Sequence, residues 1–162
     1  MNKLYCKWKN PAHPRPAKSE LRRFCRRAAA LAGLPDEFDW HLALEFVDDR
    51  LMIWRNRELL GHVGTTDVIT CNYFEGEVPE LLAGEVAIEL IVNPDAAARE
   101  GAKRPRSGYA GEMALYLVHG LLHCAGADDL DPVSRRRMRR LERRALSYLR
   151  SEFNFNALFL EH

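Results

Sequence analysis

Along the chain, apolar residues first recur at steps of three and four. Leu21, Phe24, Cys25, Ala28 and Leu31 share one face behind Ser19, read as the N-cap, and Gly33 with Pro35 ends the run, which predicts an amphipathic helix. The period then drops to two. Trp40, Leu42, Leu44 and Phe46 alternate with His41, Ala43 and Glu45, the pattern of a strand with one buried face, and Asp48-Asp49 closes it. Residues 49–60 carry Leu51, Met52, Trp54 and Leu59 among charges and read as a short helix ending at Gly61. Two further apolar runs, 66–73 and 84–92, predict strands on either side of an acidic loop that contains Gly76 and Pro79. After Asn93-Pro94 an alanine-rich helix is expected, then a basic loop over 103–108 holding Pro105. Residues 112–125 predict a buried helix through Met113, Leu115, Leu117, Val118, Leu121 and Leu122, with Gly126 as its C-terminal cap. Pro132 opens a last helix with Met138, Leu141, Ala145, Tyr148 and Leu149 on one face and arginines on the other.

Helix, strand, helix, two strands and then helices is an α/β layout. A chain of 162 residues suffices for one domain with a real core. That domain is assigned to residues 18–150. Residues 1–17, broken by Pro11, Pro14 and Pro16, read as an N-terminal arm with no lasting regular element, and 151–162 as a C-terminal tail. Cys6, Cys25, Cys71 and Cys124 form no metal-binding spacing and read as buried apolar residues in a reducing compartment. With neither a signal segment nor a membrane-length apolar run, the expected location is the cytoplasm, with no membrane partner and no dinucleotide cofactor.

Charge adds a pattern that the overall +1 conceals. Residues 1–27 hold nine Lys or Arg against one acid, residues 28–100 four against fifteen, and residues 101–162 eleven against seven. Basic ends of this kind suit a polyanion surface or neutralise the acidic middle inside the fold.

The candidate chemistry lies in Val118-His119-Gly120-Leu121-Leu122-His123-Cys124-Ala125-Gly126-Ala127-Asp128-Asp129. Histidines four apart on a helix face the same way and can share one ion. A catalytic site needs a third protein ligand, and a glycine cap lets the following chain fold back, so Asp128, Asp129 and Asp131 are the candidates. Gly120 stands where metalloproteases of the H-E-x-x-H type carry their general base, which excludes peptide hydrolysis by that route.

The run H-G-L-L-H-C-A-G-A-D-D resembles the H-G-x-L-H-x-x-G-x-D-H signature of the YbeY family of bacterial ribosomal-RNA maturation factors. Thr66-Asp67-Val68-Ile69-Thr70 is similar to that family's T-D-V-L-S strand and Gly84-Glu85-Val86-Ala87-Ile88 to its G-D-I-x-I strand, while Met138 and Glu142 match its M-x-x-x-E. The resemblance covers roughly residues 40–145. It implies a single three-layer domain with a mixed sheet covered by helices and the metal at one edge. In function it implies a zinc-dependent, single-strand-specific endoribonuclease that acts on small-subunit ribosomal RNA and in ribosome quality control. The third histidine of the signature falls on Asp129, so the implied ligands of the one divalent ion are His119, His123 and Asp129, with Asp128 outside the set. An arginine that the family carries six residues before T-D-V falls on Leu60, with Arg55, Arg57 and His62 nearby. Glu85 and His62 are the acid–base candidates, and Glu85 is alternatively a support for a ligand histidine. Phosphate-holding falls to Arg135, Arg136, Arg139, Arg140, Arg143 and Arg144 at one end, with Arg22, Arg23, Arg26 and Arg27 at the other. The rival readings are a non-catalytic, metal-containing RNA-binding assembly factor and a metal-dependent hydrolase of another substrate.

Overall fold

Strand β2 (Trp40–Phe46) forms where the alternation predicts it, yet both of its faces are covered. Trp40, Leu42, Leu44 and Phe46 enter the main core. On the reverse face His41 accepts or donates a 3.2 Å hydrogen bond with the Tyr5 hydroxyl, and Glu45 pairs with Arg55 at 2.9 Å and Lys9 at 3.3 Å, so both polar residues are buried. A computed structural model describes residues 2–36, 40–74 and 84–160; the loop expected around Gly76 and Pro79 lies outside them.

In chain order the remaining elements are β1 (Lys3–Trp8), α1 (Lys18–Ala32), α2 (Asp49–Leu60), β3 (Val68–Asn72), β4 (Glu85–Val92), α3 (Pro94–Lys103), α4 (Gly108–Cys124), α5 (Pro132–Glu152) and α6 (Phe155–Phe159). The sheet runs β1-β2-β4-β3; β1, β2 and β4 are parallel and β3 joins β4 antiparallel, so the sheet is mixed. Helices α1 and α4 cover one face through the main core. Met52 of α2 packs with Val47, Ile69 and Ile91 on the other face, completing three layers. Among the described residues no helix is long and apolar enough to cross a membrane.

Two terminal expectations are corrected. The first seventeen residues are not an arm without regular structure, because Leu4, Cys6 and Trp8 alternate with Lys3, Tyr5 and Lys7 and pair in register with β2 as an edge strand. At the other end α5 runs past residue 150 to Glu152, and α6 seats Phe155, Leu158 and Phe159 in the core, where Phe24 meets the rings of Phe153, Phe155 and Phe159 edge-on. Helix α1 starts at Lys18 with Ala17, not Ser19, at the N-cap, and Ala17 makes no side-chain cap. Elsewhere the caps are polar: Asp48, Asn93 and Asp131 accept from the backbone of Leu51, Asp95 and Ser134. Tyr148, placed on the apolar face of the last helix by its spacing, is exposed.

At the carboxyl ends of the parallel strands Asp49 binds the Arg99 guanidinium, Asn93 and Thr65. The Arg99 hydrogen bonds, opposed by partial burial and aided by Asn93 and Thr65, lower the Asp49 pKa to about 2. A carboxyl whose folded pKa is depressed stabilises the fold above its unfolded value near 3.8 and loses that contribution as pH falls towards 2. Asp49→Asn is therefore expected to cost about 1 kcal/mol at neutral pH, after allowing for solvent screening, and almost nothing at pH near 2. Urea unfolding of both proteins across that range checks it, and a constant difference would discount the pairing.

A second prediction concerns Gly101, where α3 crosses the start of α4: an added Cβ would collide with the backbone of Gly108 and Tyr109. Backbone cannot swing aside as a side-chain tip does. Gly101→Ala should lose about 2 kcal/mol or more, read as a lower urea midpoint at unchanged slope.

Candidate metal centre

Helix α4 lies along edge strand β3 and packs tightly against the sheet at Gly120. A Cβ there would come within 2.8 Å of Leu90 Cδ2 and 3.3 Å of Thr70 Oγ1, so the residue between the two histidines has to be small for the helix to sit this deep. His119 and His123 then project one turn apart from the partly exposed side, with 3.0 Å between their Nε2 atoms.

The helix stops in a Schellman arrangement. Gly126, at φ 102°, donates to His123 O at 3.1 Å, and Ala127 N donates to Leu122 O at 3.0 Å. This reversal turns the chain back across the histidines, and Asp129 brings Oδ2 to 3.8 Å from His119 Nε2 and 3.7 Å from His123 Nε2. Among the described residues these three form a group of donors that could hold one ion. Ligands of a tetrahedral zinc-like ion at about 2.0–2.2 Å stand about 3.3–3.6 Å from each other, so separations of 3.0, 3.7 and 3.8 Å fit with small shifts.

The three acidic candidates part company here. Asp128 turns to its own backbone, accepting from Leu130 N, and Asp131 caps α5 through Ser134. Only Asp129 faces the histidines.

Behind them stands Glu142 of α5, whose Oε2 is 3.5 Å from His119 Nδ1. Burial alone would disfavour a charged His119, but the hydrogen bond and charge of Glu142, with Asp67 and Asp129 adding to it, raise its pKa above the ordinary imidazole value. A carboxylate on Nδ1 fixes the ring and leaves Nε2 free to ligate. The sequence offered Glu85 for such a support. The signal for Glu142 was present in its spacing from Met138, which is buried beneath the same turn of α5.

The remaining candidates lie elsewhere. Glu85 heads β4 opposite Trp40, and His62 follows the Gly61 cap of α2; both are exposed, and neither belongs to the three-donor group. Leu60 is exposed, Arg55 is drawn into its pair with Glu45, and Arg57 lies beside Glu58 at 3.6 Å. The two arginine-rich segments also differ. Arg22 donates to Asn2 O, and Arg23, Arg26 and Arg27 pair with Glu20, Asp36 and Glu152. Arg135, Arg136, Arg139, Arg140 and Arg143 are exposed, and none of their side chains makes a hydrogen bond or ion pair with another described residue.

Comparison with known proteins places this geometry in a family. A protein of Anaeromyxobacter sp. named Endoribonuclease YbeY is 38% identical over 130 residues, 80% of this chain and 65% of its own. Namesakes from Chlorobium phaeovibrioides and Chlorobium phaeobacteroides are 41% identical over 100 residues (62% of each chain) and 36% identical over 135 residues (83% of this chain, 89% of the other). The matched region thus spans just under two thirds of the first two relatives. A protein of Thermotoga maritima, solved in solution, shares the fold with a TM-score of 0.59 at 16% identity, covering 94% of this chain and 91% of that one. The family described as Endoribonuclease YbeY matches residues 6–150, and with the relatives above this shows that the chain belongs to the YbeY endoribonuclease family.

Proposed function

We propose that this protein is a metal-dependent endoribonuclease specific for single strands, acting in small-subunit ribosomal-RNA maturation and ribosome quality control in the cytoplasm. The observation that carries it is the convergence of His119, His123 and Asp129, backed by Glu142, in a chain of this family. Zinc is the proposed ion, since two imidazoles and a carboxylate are an established catalytic zinc set that leaves one position open. When bound, such an ion supplies Lewis-acid activation of water or of a phosphate oxygen.

The chain's own residues do the positioning. Glu142 holds His119 through Nδ1, and the Gly126 reversal holds the Asp129 carboxylate over both rings. Glu85 and His62 are the proposed proton carriers, and both are exposed. Four free cysteines, two of them buried, suit a reducing compartment.

Metal analysis and cleavage are tested together. The wild type is expected to retain one divalent ion per chain and to cut single-stranded ribosomal RNA, with cutting abolished by chelator and restored by zinc. His123→Ala should lose the ion and the cutting together, while Glu85→Gln and His62→Ala keep the ion. Chelator-resistant cutting would refute the metal's role, and a metal-loaded protein that binds RNA without cutting it would support the non-catalytic assembly factor instead.

The role of Glu142 has a readout independent of activity. Glu142→Gln should weaken uptake of cobalt, followed by its visible absorption, by about tenfold or more, while the fold is retained. Unchanged affinity would reduce the Glu142 contact to packing.

A further inference from the structure

The arginines of α5 do not form one uniform cloud of charge. Glu142, by its contact with His119, marks the flank of α5 that faces the donor group. The opposite flank is marked by Ser134, Arg137 and Leu141, which line a cavity with Ala32 of α1 and with Gly126 and Asp128 of the reversal. Helical spacing sorts the arginines between these two references. Arg139 and Arg135, three and seven residues before Glu142, share its flank, and Arg143, four beyond Arg139, continues the row. Arg140 and Arg144, three and seven residues beyond Arg137, fall with it on the α1 side. Arg136 lies on the crest between.

We infer that Arg135, Arg139 and Arg143 form a phosphate-tracking row that lays a single RNA strand along α5 beside the metal centre, whereas Arg137, Arg140 and Arg144 take no part. The inference rests on the ribonuclease reading and gives it a strand path. Three features support it. The row is exposed and pairs with no described carboxylate; only the electrostatic effect of Arg135 on the Asp131 cap is already engaged. Successive members stand about 6 Å apart along the helix axis, the scale of one nucleotide step in an extended strand. The other rich source of arginine, α1, is committed to internal partners, whereas the α5 row is not. Charge complementarity with a polyanion selects RNA as the occupant, because an unpaired guanidinium row releases counterions from phosphates.

The test compares two triple variants with equal loss of charge, each in the full-length metal-loaded protein. One carries Arg135→Gln, Arg139→Gln and Arg143→Gln; the other carries Arg137→Gln, Arg140→Gln and Arg144→Gln. Binding is read by fluorescence anisotropy with a short, 2′-O-methylated single strand as probe, across a range of salt, apart from cleavage. The row variant is expected to weaken binding about tenfold or more and to flatten the log–log salt slope by about 2. The α1-side variant should stay within about twofold of the wild type. A third variant with Lys at the three row positions keeps the charge and should keep the slope, which separates loss of phosphate contact from loss of fold. Equal losses in both Gln variants would overturn the row in favour of a diffuse field, and so would no loss in either. A row that binds in a wild type unable to cut RNA would sustain the strand path and remove the ribonuclease reading; absence of binding by the wild type would remove both.

Discussion

Everything at the donor group depends on how deeply α4 settles onto the sheet. The helix is buried along most of its length, and its closest approach falls at Gly120, between the two histidines. A side chain there would have to displace Leu90, a fully buried core residue of β4, or press on Thr70 of β3. The glycine costs about 1 kcal/mol of helix propensity relative to alanine. That cost is outweighed by the apolar contact that a close approach allows along a helix whose faces carry Met113, Leu117 and Leu121 inward. The direction of the imidazoles is a by-product of core packing, and no loop has to hold them.

The interior of the fold was legible wherever one physical signal dominated a segment. Strand β2 announced itself by alternation, α1 by its three- and four-residue spacing, and α2 by its apolar residues among charges and Gly61 after it. Strand β1 carried the same alternation in Leu4, Cys6 and Trp8, but it is short and its other face is lysine-rich, as suits an edge, and the prolines that follow it drew the reading towards an arm. Within the donor group the histidine pair was legible from helical geometry alone. Choosing among Asp128, Asp129 and Asp131 was beyond geometry at that level, because three carboxylates within four residues differ only in which way a loop turns. The resemblance to a family signature chose Asp129, and the backbone shows why: its neighbours are occupied by an Asx turn and a helix cap. The contact of Glu142 with His119 joins residues 23 positions apart on two helices, and no local pattern encodes such a distance.

Charge shows how far sequence counts can mislead. The basic excess of the first 27 residues suggested a polyanion surface, yet four of its arginines bind a backbone carbonyl or carboxylates within the fold. The sequence distance of those partners ranges from three residues to 125, so pairing could not be inferred from the run itself. Helix α5 has the same composition but a different setting. It crosses the outside of α1 and α4, and its apolar stripe is narrow enough to leave the arginines facing solvent.

All of the donor group and its supporting carboxylate lie in one continuous stretch, from His119 to Glu142, joined by a short reversal that is fixed at both ends by Gly126 and by the Asp131 cap. The sheet is built differently: β1 pairs with residues nearly forty positions away, and β2 with residues more than forty positions away. Closing such loops takes time, whereas a helical hairpin forms from near neighbours. The donor group therefore belongs to the part of the molecule built from near neighbours, and an ion captured early would tie the end of α4 to the reversal that leads into α5 while the strands are still finding their register.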